Sequence, residues 1–549
     1  MQPSSQKVSG ITKMLLVTTA AVILALIIVS TYRGHSQKAK LTPVQHEAGL
    51  IQEPDKSEPI KKPEELEEGE IPINTVEELA KIGHDSAYPR NGTYYLMSDL
   101  DLFGVGGEEG WVPIGFSKDQ DQYSMDTRLS FIGTFDGNGC VIRNLQINRP
   151  ETDCLGLFGR IGPGAELMNI KLEDVNISGR DCIGGLTGQN YEGTISSCYS
   201  TGTVTGKLRT SGLVGRNWGT ITDSYFIGDV TGKLSTGGLV GANHNSVTDS
   251  YFSGTVTGEL NTGGLVGLDS GGSTQIENSH CTGTVTGKKG TGGLVGSTDG
   301  LVAASYFSGT VSGIDGTGGL VGVNGGSVTN SSCTGDVGGR SSTGGLVGFN
   351  RGSIANTYST GFVTGNGLYT GGLVGSNFGC ISSSYSTGSV SGQNDTGGLA
   401  GLNSGTDAKI ENTYSIGNVT GKINTGGLVG YNWSSTVTNS YSTGTVTGED
   451  STGGLVGLKK GWKDPGTGTI HYATLTDCYY LETVSPFAVG SQEFYSSISN
   501  EASIKQSSAD LKKQSTFNNW DFGTVWAIDE NKSYPYLIDN KQVPRPESK

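Results

Sequence analysis

The chain has 549 residues, 90 of them glycine, with 34% hydrophobic and 16% charged residues and a formal charge of −15. The glycines keep no three-residue period, which excludes collagen, and the apolar content is too high for a disordered chain. An excess of Asp and Glu over Lys and Arg repels phosphate backbones, which argues against nucleic acid as a partner.

In chain order, residues 1–13 read as a short cytoplasmic tail. Met14 to Val29 is an unbroken apolar run. Ser30 to Tyr32 extend it to about 19 residues, enough to cross about 30 Å of hydrocarbon. No small-x-small cleavage site follows before Arg33, so the reading of 14–32 as an uncleaved membrane anchor is preferred, with a removed signal segment as the alternative. Lys7 and Lys13 before it balance Arg33, Lys38 and Lys40 after it, so basic residues do not set the orientation. The N-in, C-out arrangement is chosen because the repeats downstream suit an exterior surface. Residues 33–70, with four prolines among alternating Glu and Lys, read as a linker. Residues 71–150 are expected to form an N-terminal cap and leader. They contain a helix signal from Thr75 (TVEELAKI) and a turn signal, FDGNG, at Phe135.

Residues 151–460 are repetitive. The block TGGLVG and its variants place Leu157, Leu186, Leu213, Leu239, Leu265, Leu294, Leu320, Leu346, Leu373, Leu399, Leu428 and Leu455 at intervals of 26 to 29 residues. Each unit holds three short apolar stretches, of the types GGLVG, VTDSYF and GTVTG, separated by Gly, Asn, Asp or Ser. The unit is too short for a four-stranded propeller blade and lacks helical periodicity, which predicts an all-β parallel β-helix of about twelve coils. Stacked coils put equivalent residues in columns about 4.8 Å apart. The leucines line the interior. The column Asn190, Asn217, Asn243, Asn324, Asn350, Asn377, Asn403 and Asn432 is a predicted amide ladder, with Asp269 in one copy. A small residue, usually Ser, and then a tyrosine recur on the second strand. Residues 461–549 are predicted to form a C-terminal cap region, with Trp520, Trp526 and Tyr534 covering the last coil.

The repeat, TGGLVG followed by N-x-G-x-V-T-N-S-Y-S-T-G-T-V-T-G, resembles the GLUG-motif repeats of prokaryotic surface proteins over about residues 155–460. The stretches YYLMSDLDL from Tyr94, WVPIG at Trp111 and FIGTFDGNGCVIRNLQI from Phe131 resemble the leader of such repeats. FNNWDFGTVWAI and YPYL, at Trp520 and Tyr534, resemble their ending. The resemblance implies an exported β-solenoid, found on large surface proteins or as the non-catalytic part of secreted peptidases, and it supplies no catalytic residue.

The remaining chemistry is sparse. The chain has no CxxC pair, and neither a metal site nor a cofactor is expected. Cys154 and Cys182 fall in corresponding stretches of the first two coils, within disulfide range, although the second copy carries one extra glycine. Cys281 and Cys333, two coils apart, should not pair. HEAGL at His46 lacks the second histidine of a zinc motif, LDSGG at Leu268 occupies a repeat slot, and Asp223 with Asp249 sit where other copies carry Asn or Ser. No catalytic residue is assigned. Tyr191, Trp218, His244, Phe378 and Trp433, each following a ladder asparagine, are candidate ligand-binding residues, because variation among copies marks solvent and aromatic rings bind sugars or protein surfaces. The expectation is a membrane-anchored, non-enzymatic display or adhesion module on the cell exterior, with a glycan or surface protein as partner. A polysaccharide-degrading enzyme on the same scaffold and a structural envelope component are the alternatives.

Overall fold

The computed structural model describes residues 60–116, 128–494, 496–498 and 505–540. The tail at 1–13, the anchor at 14–32 and most of the linker lie outside the described residues. Among the described residues no helix is long and apolar enough to cross a membrane.

The turn from Leu234 to Thr257 shows how the repeat folds. It contains the strands Leu234–Gly237, Val240–Asn243, Ser246–Thr248 and Tyr251–Thr257. Four segments thus replace the three expected from the sequence, and the breaks have local causes. The GGLVG block is split at Gly238 and Leu239, where a Cβ on Gly238 would lie 2.1 Å from the carbonyl oxygen of Gly264 in the next turn. Only glycine allows that approach, and Leu239 swings inward to complete burial. The VTDSYF stretch breaks at Asp249, whose φ is 51°. The same slot holds Asp223, Asn278, Asn330, Asn356, Asn412 and Asn439, all at positive φ. Asn and Asp tolerate this left-handed backbone, so their recurrence is conformational. The half-strand beyond the break joins the third expected stretch.

Every segment pairs in parallel with its counterpart one turn on, in register: Leu234 with Leu260, Val240 with Val266, Val247 with Ile276, Val256 with Val285. One face is a 12-stranded sheet and another a 13-stranded sheet, each ordered strictly along the chain. The architecture is therefore an all-β parallel β-solenoid. It has about 15 turns, more than the twelve leucine blocks predict. The added turns come from both flanks. Glu70–Ile73 pairs with Thr93–Leu96, which pairs with Thr134–Asp136, which pairs with Glu166–Met168. Long, unequal connections hide their period. The helix signal at Thr75 yields Val76–Lys81, closed by a Thr75–Glu78 capping box, and Leu79 is buried in the core beside the first strand.

The leucine column is buried throughout, as are the Ile and Val columns. Each such side chain contributes about 1.5–3 kcal/mol of apolar burial. The small residues beside the tyrosines are chosen for hydrogen bonding as well as size. The Ser224 amide donates to Ser250 Oγ at 3.2 Å, and that hydroxyl donates to the Thr248 carbonyl at 2.7 Å. The same pattern runs on through Ser279 and Ser305.

Residues 505–540 differ from the expected end cap. They carry two single-turn helices, Asp510–Lys512 and Gln514–Thr516, and a strand pair of Trp526–Ala527 with Tyr536–Leu537. They lie along the side of the solenoid: Trp520 Nε1 donates to the Asp477 carbonyl, Trp526 Nε1 to Asn412 Oδ1, and Asn540 Nδ2 to the carbonyls of Thr357 and Ser383. Trp520, Trp526 and Tyr534 therefore cover a side face over several turns. The physical reason is a column of tyrosines on that face, which offers more apolar contact than one exposed strand edge.

Candidate functional surfaces

The asparagine ladder is built as a directional chain. Asn190 Nδ2 donates to Asn217 Oδ1, Asn217 to Asn243, and Asn243 to Asp269 Oδ1, each at 2.8 Å. As a carboxylate Asp269 can only accept, and Thr298 and Thr274 donate into its other oxygen at 2.6 and 2.8 Å. The run ends there, and a second begins at Asn324 and proceeds through Asn350, Asn377 and Asn403 to Asn432. Asn324 Oδ1, at the start of the new run, has no hydrogen-bond partner among the described residues. Burial holds the Asp269 carboxyl above its ordinary range despite its donors. The LDSGG segment is accounted for by this ladder role.

Of the five candidate aromatics, three come together. Tyr191 meets Trp218 edge to face with centroids 5.9 Å apart, and Trp218 stacks on His244 at 5.1 Å. Arg216 lies over the Trp218 ring at 3.8 Å and its Nε donates to His244 Nε2 at 3.3 Å. Burial, with Arg216 beside it, holds the His244 imidazole below its usual pKa. Trp218 is thus flanked by His244, Arg216 and Tyr191. Phe378 and Trp433 stand apart from this cluster and from each other. Phe378 stacks on Phe349 at 5.0 Å and Trp433 lies parallel to Tyr431, and these two candidates are 39% and 40% exposed. The five residues form three patches on the corner, since intervening turns carry Ser270, Asp299, Gly325, Arg351 and Ser404 there.

The larger aromatic surface is the tyrosine column. Tyr199, Tyr225, Tyr251, His280 and Tyr306 stack with centroids 4.5 to 5.1 Å apart. Ser332 interrupts the column. Tyr358, Tyr385, Tyr414 and Tyr441 then stack in the same way, and the column continues in register to Tyr479. His280 breaks the tyrosine pattern of the sequence, yet its slot, directly after Ser279, places it in the column. The segment 505–540 seals the second run: Tyr441 Oη donates to the Pro535 carbonyl at 2.7 Å, and Trp526 packs on Tyr414 and Tyr441 at 6.2 Å. Burial raises the phenol pKa of Tyr414 and Tyr441 well above the usual value.

The columns just inside this face differ between the two runs. In the first run the slot holds Ser200, Phe226, Phe252, Cys281 and Phe307, whereas Ser359, Ser386, Ser415 and Ser442 occupy it in the second, each, like Ser200, with a buried hydroxyl lacking a hydrogen-bond partner among the described residues. The second run has the poorer interior and the external cover. Phe307 also pairs with both Cys281 and Cys333 and so separates them, as expected. His46 lies outside the described residues.

A parallel solenoid with amide and aromatic ladders defines a class of repeat protein. Residues 179–205, 232–257 and 421–447 match the family described as the GLUG motif, so three of the solenoid's turns carry that motif. It is 33% identical over 148 residues to halomucin of Haloquadratum walsbyi, covering 26% of this chain and 2% of halomucin. It is also 33% identical over 122 residues to a protein described as a Gly-rich membrane protein from Evansella cellulosilytica, covering 21% of this chain and 13% of that one. The chain thus matches only a small part of either relative. No solved structure matches it.

Proposed function

We propose that this chain is a display and adhesion module of the cell exterior, tethered through residues 14–32, non-enzymatic, and binding glycan through its corner aromatics. The observation that carries the reading is the corner itself, where Tyr191, Trp218 and His244 recur on consecutive turns and Phe378 and Trp433 stand partly exposed on later ones. Parallel stacking fixes such rings at about 4.8 Å per turn along a stiff rod, a spacing that adjoining sugar units can span. The relatives' names, halomucin and a Gly-rich membrane protein, support an exterior, membrane-associated setting. Asp223 and Asp249 have a conformational reason to be acidic or amidic, so they lend no support to a hydrolytic pair.

The test applies the full chain to a glycan array and, in parallel, to a polysaccharide-release assay. Binding that falls at least tenfold in Phe378→Ala and Trp433→Ala supports the reading. Release of fragments would make the protein an enzyme. Binding to a surface protein with no glycan retained would replace the ligand class, and neither binding nor release would leave a structural envelope role.

A further inference from the structure

We propose that Cys154 and Cys182 form a disulfide that staples two adjacent turns at the start of the regular repeats, Cys154 acting as the attacking thiolate and Cys182 as its resolving partner. The inference is independent of the glycan reading. Asp153 pairs with Asp181 and Leu155 with Ile183, which sets the two cysteines directly above one another. The strand spacing of about 4.8 Å falls inside the Cα separation that disulfides accept. Both residues have left-handed backbone, with φ of 57° and 55°, so both side chains leave the strand in the same direction. The extra glycine of the second copy is absorbed after this slot: Gly184 donates to the Leu155 carbonyl and Leu157 to the Gly185 carbonyl.

The surroundings assign the roles. Arg160 Nη2 donates to Cys154 Sγ at 3.5 Å, and Gln189 Nε2 to Cys182 Sγ at 3.5 Å. A hydrogen bond from Cys182, with the Arg160 guanidinium alongside, holds the Cys154 thiol below its ordinary pKa, while burial pushes Cys182 up. Asp181, next to Cys182, is in turn paired with Arg209. Cationic Arg160 thus faces the sulfur that must ionise first, and the neutral amide faces the other.

The oxidant is a low-molecular-weight disulfide, RSSR. Cys154 loses its proton to solvent and its thiolate attacks one sulfur of RSSR, forming a mixed disulfide and expelling RS⁻. Cys182 gives its proton to that RS⁻, and its thiolate attacks the Cys154 sulfur and expels the second RS⁻, which takes up a proton from solvent. In sum, two cysteine thiols are oxidised to one disulfide and RSSR is reduced to two RSH. Cys154 is 4% exposed and Cys182 fully buried, so exchange proceeds while these turns assemble and the product is then shielded from reductant.

The full chain is refolded with oxidised glutathione, denatured, alkylated and mapped without reduction. The expected result is six alkylated cysteines of the eight and a linked pair of peptides containing Cys154 and Cys182. Eight alkylated thiols, or a link between other cysteines, would overturn the proposal. The Cys182→Ser variant should trap glutathione on Cys154, whereas Cys154→Ser should leave Cys182 unmodified. Trapping on Cys182 instead would reverse the assigned roles. Arg160→Gln should slow trapping on Cys154 about tenfold near neutral pH, and an unchanged rate would remove the arginine from the mechanism.

Discussion

Replacing Trp526 by alanine should loosen only the turns under the C-terminal segment. The indole is fully buried, stacks on Trp520 at 4.4 Å, packs on Tyr414 and Tyr441, and donates to Asn412. A buried tryptophan hides about 150–250 Å², worth about 4–6 kcal/mol at 25 cal/mol per Å² as an upper bound. Measured truncations of this kind cost about 3–5 kcal/mol, so about 4 kcal/mol is expected. In a solenoid each turn is held mainly by its neighbours, so the loss should stay local. The second run has little interior reserve, because Ser359, Ser386, Ser415 and Ser442 fill the slot that holds Phe226, Phe252, Cys281 and Phe307 in the first. Hydrogen exchange read by mass spectrometry should show amides near Tyr385, Tyr414 and Tyr441 exchanging several hundredfold faster, the factor that about 4 kcal/mol implies. Amides near Tyr225 and Tyr251 should keep their protection. Equal loss in both runs, or no loss in either, would refute the idea that residues 505–540 stabilise the second run from outside.

Three further outcomes follow from the buried columns. Thr317 is fully buried and its hydroxyl has no hydrogen-bond partner among the described residues, so Thr317→Val should stabilise the protein by about 1 kcal/mol in urea unfolding. Asn377→Leu leaves the Asn350 amide and the Asn403 carbonyl oxygen without their ladder partner and should cost about 2–4 kcal/mol in the same assay. For Asp269, the folded-state pKa is raised, so its favourable contribution is complete below the unfolded value and is lost as pH rises through the folded value. Asp269→Asn should therefore stabilise the protein at pH 7, with the advantage shrinking as pH falls toward 4, measured by thermal unfolding across that range.

What the sequence discloses here depends on repetition. Leu239 and its counterparts recur often enough that their column, the amide ladder and the parallel stacking can be read directly, and burial and pairing follow the expected slots. Asp249 shows the limit: composition marked its slot as a corner, but only the positive φ explains why a predicted strand breaks there. The first turns were obscured because Thr93–Leu96 and Thr134–Asp136 are joined by long connections of unequal length. The course of residues 505–540 had no repeat to reveal it, since its anchoring contacts join residues as far apart as Asn540 and Thr357. At the corner, sequence identified Tyr191, Trp218 and His244 together, but the neighbours of the Trp218 ring, His244 and Arg216, depend on side-chain packing that spacing alone does not specify.

The claim that the solenoid is displayed outside the cell is tested most directly by labelling intact cells with a membrane-impermeant amine reagent and mapping the modified lysines. Lys233, Lys288 and Lys422 are exposed on the repeats, whereas Lys7 and Lys13 precede the apolar run. Label is expected on the three repeat lysines in intact cells and on Lys7 and Lys13 only after permeabilisation. Label on Lys7 and Lys13 with the repeat lysines protected would contradict it.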